Sequence, residues 1–385
     1  MNQFGRTALI MFACAFAVSP KVADATEVRG QTLSERRFQP NPSDFNAPET
    51  VAVLHYYGAG GWGIRWRGSY LMTATYFSNH GIPTLLTNGS VRPDIERIRA
   101  GWEGTPAATT ELILVGHGHI DHAGDIPGYF QAGLPAGQAG LIADASVVNM
   151  LAPLKGQFRC IRALEIKDDG RPLDASAPRD NTCVPPVFRV TPLHSAHAPH
   201  AQLLGINFEA FGGRVAQPRT TLPEHADDFK LGYPHAFLID LLDAKGRVVF
   251  RIHYMDAAAD PPHALIDVKA LRNPRPVDVH IGCAPGFDLV SDYPEGVLES
   301  THARFVLAAH WETFFKPLSG RLDPVPTILN EKRLNSFVSR IEDGVDPAAA
   351  TLSPLGTCDS THPCGPRGSR WAIPIPGETL RFEAR

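Results

Sequence analysis

No apolar run in the 385-residue chain is long enough to cross a bilayer; a spanning helix takes about 20 such residues. The chain also lacks any excess of positive charge. Lys and Arg number 36 against 40 Asp and Glu, a formal net charge of -4, so no polybasic surface for nucleic acid is expected. No Cys-x-x-Cys pair occurs among the six cysteines, which excludes a zinc ribbon. There is no repeat at a fixed period and no low-complexity tract. The glycine-rich stretch Gly58-Ala-Gly-Gly-Trp-Gly63 is not a dinucleotide fingerprint, because a hairpin rather than a helix is expected after it. What the chain does have is 43% hydrophobic and 20% charged residues, the balance of a globular protein with a real core. Gly and Pro number 34 each, so loops and turns are abundant. The length suits one large domain or two ordinary ones.

The N-terminus reads as an export leader. Arg6 supplies a positive start, Ala8 to Val18 an apolar run of eleven, and Ala23-Asp24-Ala25 a small-x-small cleavage pattern. Residues 1–25 are therefore expected to be removed, leaving an exported, periplasmic or secreted protein with no stable membrane span. Cys14 lies within the leader. In an oxidising compartment Cys358 and Cys364 are the best pair, Cys160 and Cys183 can close the polar insertion between them, and Cys283 stays free. The domain is expected to fill residues 26–345. A Pro/Gly-rich tail, residues 346–385, follows and is expected to be held by a disulfide.

Strands are expected at Val51–Tyr57, Ile64–Met72, Thr84–Thr87, Glu111–Val115, Leu141–Ala143, Val187–Pro192, Ala236–Leu242, Arg247–Met255, Pro276–Cys283 and Val306–Ala309. Helices are expected at Pro93–Ala100, Asp125–Gln131, Ser146–Leu154, Val297–Phe305 and Lys332–Glu342. Residues 203–235 read as an irregular, lid-like segment. Strand pairs alternate with helices in both halves, which predicts an α/β sandwich of two packed mixed sheets with helices outside, αββα.

Sixteen histidines stand in the chain, and six fall in two short clusters, 117/119/122 and 194/197/200. Leu112 to Val115 is apolar and ends at Gly116. His117, His119, Asp121 and His122 follow within six positions. Side chains two apart on a strand share a face, and the turn after it can bring round Asp121 and His122. Three imidazoles and a carboxylate about one point are ligands of the kind zinc prefers. His194, Asp256 and His310 each close a predicted strand, where loops carry chemistry on a rigid frame. His253, three residues before Asp256, faces the other side of its strand and is not expected to be a ligand. Tyr57 and Trp62 are read as packing residues, and Cys283 as a buried inert thiol.

His117-Gly-His119-Ile-Asp121-His122 matches the His-x-His-x-Asp-His motif of the metallo-β-lactamase superfamily, and the chain resembles that family over roughly residues 50–315. His194, Asp256 and His310 match its later His, Asp and His by order and context. Leu71–Asn79, with Ala74-Thr75 where Asp-Pro is usual, and His310-Trp311-Glu312 look like segments of one branch. That branch holds L-ascorbate-6-phosphate lactonase and N-acyl-phosphatidylethanolamine phospholipase D. The resemblance implies the metallo-β-lactamase fold and two divalent ions, zinc first, with manganese or iron as alternatives. It implies that His117, His119 and His194 bind one ion, that Asp121, His122 and His310 bind the other, and that Asp256 bridges them. Asp121 would also orient the attacking water. His197 and His200 compete with His194 for the third place at the first ion, and Glu312 can orient a neighbouring ligand. The implied reaction is attack by a hydroxide, held by the binuclear centre, on an ester, lactone, amide or phosphoester of a small-molecule or lipid-like substrate. The rival readings are a phosphodiesterase or phospholipase D-like enzyme, and a non-catalytic periplasmic metal-binding protein.

Overall fold

The computed structural model of the chain describes residues 26–29, 31–33, 40–73, 75–175, 183–203, 206–208, 211–269, 271, 273–318, 321–326, 328–346, 352–355 and 369–385. The expected leader and the Cys358–Cys364 pair lie outside these residues. The first sheet contains β1 (Val51–Gly58), β2 (Gly61–Trp66), β3 (Ser69–Thr73), β4 (Leu112–Leu114), β5 (Gly140–Asp144) and β6 (Cys160–Leu164). The second contains β7 (Leu173–Asp174), β8 (Phe188–His194), β9 (His235–Leu242), β10 (Val248–Tyr254), β11 (Val279–Cys283), β12 (Phe305–Ala309) and β13 (Trp371–Ala372). A last strand, β14 (Thr379–Glu383), returns to the first sheet.

The strand orders are β14-β1-β2-β3-β4-β5-β6 and β13-β12-β11-β10-β9-β8-β7. Each sheet is mixed. Pairing is antiparallel from β14 to β3 and parallel from β3 to β6. It is likewise antiparallel from β7 to β10 and parallel from β10 to β13.

Alternation along the strands sorts side chains into three cores. Ala52, Leu54 and Tyr56 of β1 and Ile64 of β2 meet Phe237, Ile239, Ile252 and Ile281 of the second sheet in one buried cluster. The opposite face of the first sheet, with Val53, Met72, Ile113 and Leu141, packs under α2 (Ile95–Trp102), α3 (Ile120–Ala123), α4 (Ile126–Ala132) and α5 (Ala145–Met150). The outer face of the second sheet packs under α6 (Glu295–Thr301) and α7 (Glu331–Gly344). Helix α7 shows why. Its buried residues Leu334, Phe337, Val338 and Ile341 form one stripe at helical spacing, and the Asn330 side chain caps its start by accepting from the Arg333 N–H. The αββα sandwich is thus in place.

Several local expectations change. Ile64–Met72 is two strands, because Arg67 and Gly68 both take positive φ (47° and 87°), the backbone of a tight hairpin turn. Thr84–Thr87 is not a strand. Residues Ile82–Leu86 form a short helix, α1, with Pro83 in its first turn, where the missing N–H costs nothing. The helix expected to reach Phe305 stops at Thr301, since His302 turns left-handed at φ 48° and ends it. Residues 371–383, expected in the tail, add an edge strand to each sheet. Cys160 and Cys183 form a disulfide and Cys283 is free and buried.

His253 and His280 are paired across β10 and β11 and fully buried, with their Nδ1 atoms 3.0 Å apart. One ring must donate and the other accept. Burial pushes His253 down to about 4, and burial followed by repulsion from His253 pushes His280 well down too. An unfolded histidine takes up its proton near pH 6.5. Below that the unfolded state binds more protons than the fold, so stability present above pH 6.5 is lost as pH falls towards 4. Urea midpoints at pH 7 and 4.5 are expected to show a smaller acid loss in the His253→Leu/His280→Leu protein than in the parent. An equal loss in both would contradict this account.

Candidate metal centre

The strands β4, β10 and β12 all deliver their C-terminal ends to one edge of the sandwich. Past β4, Gly116 and Gly118 let other chain segments come in close. A Cβ on Gly116 would lie 2.2 Å from Asp256 Oδ2, and one on Gly118 2.2 Å from the Lys230 carbonyl oxygen. Backbone bonds clamp this loop: Gly118 N–H donates to the Leu231 carbonyl (2.9 Å) and His235 N–H to the Gly116 carbonyl (2.7 Å). His119 stands at the start of α3, and Asp121 and His122 lie within that helical turn. The end of the expected lid, residues 229–235, is therefore tied to the site loop.

Three overlapping sets of donors result. Ligand atoms of His117, His119 and His197 lie within 4.8 Å of one another; so do those of His117, His122 and Asp256, and those of Asp121, His122 and His310. The middle set shares one imidazole with each of the others, which places Asp256 between two positions. Its Oδ1 is 3.0 Å from His117 Nδ1 and its Oδ2 3.5 Å from His122 Nδ1. Asp121 Oδ2 is 3.3 Å from His310 Nε2 and 3.5 Å from His122 Nε2.

His194 is not in the cluster. It is still paired in β8 opposite His235, its N–H donates to Asp169, and its ring lies 5.2 Å from that of His263. The structure brings His197, the competing candidate, into the first set and leaves His194 outside it. A strand-held residue cannot turn over the strand's end, and three further residues carry the chain to where the His197 ring lies 4.9 Å from that of His117 and 4.8 Å from that of His119. His200 stacks on His197 at 4.8 Å and lies 5.1 Å from His119. His253 faces the outer helices, as its strand position requires. Tyr57 and Trp62 are packed in the cores.

Burial acts to lower His310, but the hydrogen bond and charge of Asp121 raise it. Burial leaves His117, His119, His122 and His197 neutral, with a lone pair to give. It pushes His117 and His197 down to about 3 and His122 to about 4. Burial acts to raise Asp121, yet the surrounding His122 and His310 hold it well below the usual carboxylate range. Burial raises Asp256. The donor set fits divalent metal: five imidazoles, two carboxylates and no cationic side chain. His117 Nε2, His119 Nε2, His122 Nδ1 and His310 Nδ1 are buried without a hydrogen-bond partner among the described residues. Such groups cost about 1–3 kcal/mol each when unsatisfied, and coordination would satisfy them.

Two features beside the donors were only partly legible. Gly60, at φ 76°, roofs the site, and a Cβ there would lie 3.0 Å from His122, 3.5 Å from His310 and 3.6 Å from Asp256. Glu312 is fully buried and accepts from Tyr56 Oη and from the Ala59 N–H. The available signal was the alternation of β1, which turns Tyr56 inward, where a buried hydroxyl needs a partner.

No family model matches the chain, and no curated protein matches it. Solved structures do. Igni18, a metallo hydrolase from Ignicoccus hospitalis, is 13% identical with a TM-score of 0.47, the alignment covering 87% of this chain and 99% of that one. The metallo-β-lactamase fold protein YhfI from Bacillus subtilis is 14% identical, with a TM-score of 0.39 and coverage of 69% and 87%. Human tRNase Z, short form, is 11% identical, with a TM-score of 0.38 and coverage of 68% and 92%. At such identities and TM-scores, neither reaction nor substrate follows from the likeness.

Replacing His197 by Ala is expected to cost one bound ion per chain, measured by elemental analysis after gel filtration. The His194→Ala protein should keep the parent's metal content. Metal loss in the His194 variant alone would reverse this assignment.

Proposed function

We propose that the chain is a metal-dependent hydrolase with a binuclear centre. The observation that carries this is the overlap of three donor sets at one edge of the sandwich, with Asp256 shared between them. His117, His119 and His197 would hold one divalent ion, and Asp121, His122 and His310 the other. When bound, such a pair supplies Lewis acidity, lowers the pKa of water towards about 7 and stabilises both attacking and leaving oxygens.

The chain's own groups divide the remaining work. The Asp256 side chain is 3% exposed and sits between the positions, which suits a structural bridge. The Asp121 side chain is 11% exposed, so it is the carboxylate of the pair that water reaches. Asp121 would take the proton of the attacking water and orient its oxygen. Neutral His200, stacked on His197 and near His119, would be the imidazole beside the first set that meets substrate. Zinc is the first choice of ion for this imidazole-rich set, with manganese or iron as alternatives. The likeness of segments 71–79 and 310–312 to the lactonase and phospholipase D branch makes a lactone and a phosphodiester the first substrates to test.

The purified protein is expected to hold close to two ions per chain and to hydrolyse at least one member of an ester, lactone, amide and phosphodiester panel. Chelation should abolish the activity and metal should restore it. Asp121→Asn should lower kcat by about 10²- to 10⁴-fold. An absence of bound metal would end the reading. Two ions with no turnover on any class would favour the non-catalytic metal-binding alternative.

We further propose that the protein is exported, a reading supported by the leader pattern and by the Cys160–Cys183 disulfide. Intact-mass analysis of the mature protein is expected to begin at Thr26. A mature chain retaining residues 1–25 would contradict it.

A further inference from the structure

Two residues near the centre hold backbone conformations that side chains other than glycine avoid. His310 has φ 59° and Ala59 φ 48°, and left-handed backbone is costly for a non-glycine residue because Cβ crowds the carbonyl oxygen. Such conformations persist where the surroundings over-determine them. Here the same buried pair holds both. His310 N–H donates to Tyr56 Oη (2.8 Å), and Tyr56 Oη–H donates to the Glu312 carboxylate (2.8 Å to Oε2, 3.0 Å to Oε1). The Ala59 N–H donates to Glu312 Oε1 (2.6 Å). Tyr56 and Glu312 are both fully buried.

The chain of bonds crosses the sandwich. Tyr56 belongs to β1 in the first sheet, and His310 follows β12 in the second. Ala59 belongs to the turn that sets Gly60 against His122, His310 and Asp256. Tyr254 Oη donates to the Gly60 carbonyl (2.9 Å) and steadies the same turn. None of these bonds reaches His119 or His197.

We infer that Glu312 and Tyr56 are positioning residues for one half of the centre: they fix His310 and the roof turn, and so select the affinity of the Asp121/His122/His310 position alone. The inference rests on the binuclear reading and adds to it an inequality between the two positions. Outer groups that orient ligands typically contribute 10- to 100-fold in metal affinity.

The test uses the full chain loaded with zinc and titrated with a chelator, giving two dissociation constants. Variants lacking His197 and His310 assign each constant to its position. Glu312→Gln is expected to weaken the His310 position by about 10- to 100-fold and to leave the His197 position within about twofold. Tyr56→Phe keeps the Glu312–Ala59 bond and removes only the link to His310. It should show the same selectivity and provides the test if the Gln variant does not fold. Equal weakening at both positions, or no weakening at either, overturns the inference. A parent protein that binds no zinc overturns the hydrolase reading instead, so the two failures are distinguishable.

Discussion

The site depends on the spacing of two sheets. His117, His119, Asp121 and His122 follow a strand of the first sheet, and Asp256 and His310 follow strands of the second. No element carries a whole donor set, so ligand distances are inter-sheet distances. Those are set by the interdigitated core between the sheets, where Tyr56, Trp62 and Ile64 meet Phe237, Ile239, Tyr254 and Ile281. Protein interiors pack at crystal-like density, and a core of that kind has little freedom to change its thickness. Packing between the sheets therefore controls coordination at the edge.

Burial alone does not make a metal centre, as two groups of histidines show. His253 and His280 are as buried as His117 and His122, and burial holds all four neutral. The difference lies in the company. His253 and His280 bond to each other through Nδ1. His117 and His122 face the Asp256 carboxylate, and His122 and His310 face Asp121. Negative charge beside neutral nitrogen attracts a divalent cation; two imidazoles alone make a hydrogen bond. The end of β10 thus leads to unlike outcomes on opposite faces, with His253 turned to the helices and Asp256, just past the strand, turned to the centre.

The first cluster was legible in the sequence because it is local: one strand end, one glycine turn and one helical turn bring its members together. Asp256 and His310 were legible because a strand's end can be read from apolar alternation. His197 was legible only as a competitor of His194, because the path of residues 195–200 is decided by contacts with distant segments, such as the Ala198 N–H to the Ala258 carbonyl. The strands at 371–383 were missed for a related reason. Each is short and rich in neighbouring proline, and only the open edges of the two sheets make strands of them. Glu312 could be named as a group able to orient a ligand, but its pairing with Tyr56 spans 256 residues of chain, and no local pattern encodes such a contact.

Glycine links these observations. Gly60, Gly116 and Gly118 stand where four chain segments converge, and each has a neighbour within 3.0 Å of the space a Cβ would fill. At Gly116 that neighbour is the shared carboxylate itself. A donor cluster drawn from both sheets is compatible with a dense interior only if the backbone between donors is bare, so that Asp256 can approach from behind and the 58–61 turn from above. In the sequence, Gly116 and Gly118 look like spacers in a histidine motif. In the fold they are the clearance through which the second sheet reaches the first, and even the small methyl group of alanine at 116 would push Asp256 away from both positions at once.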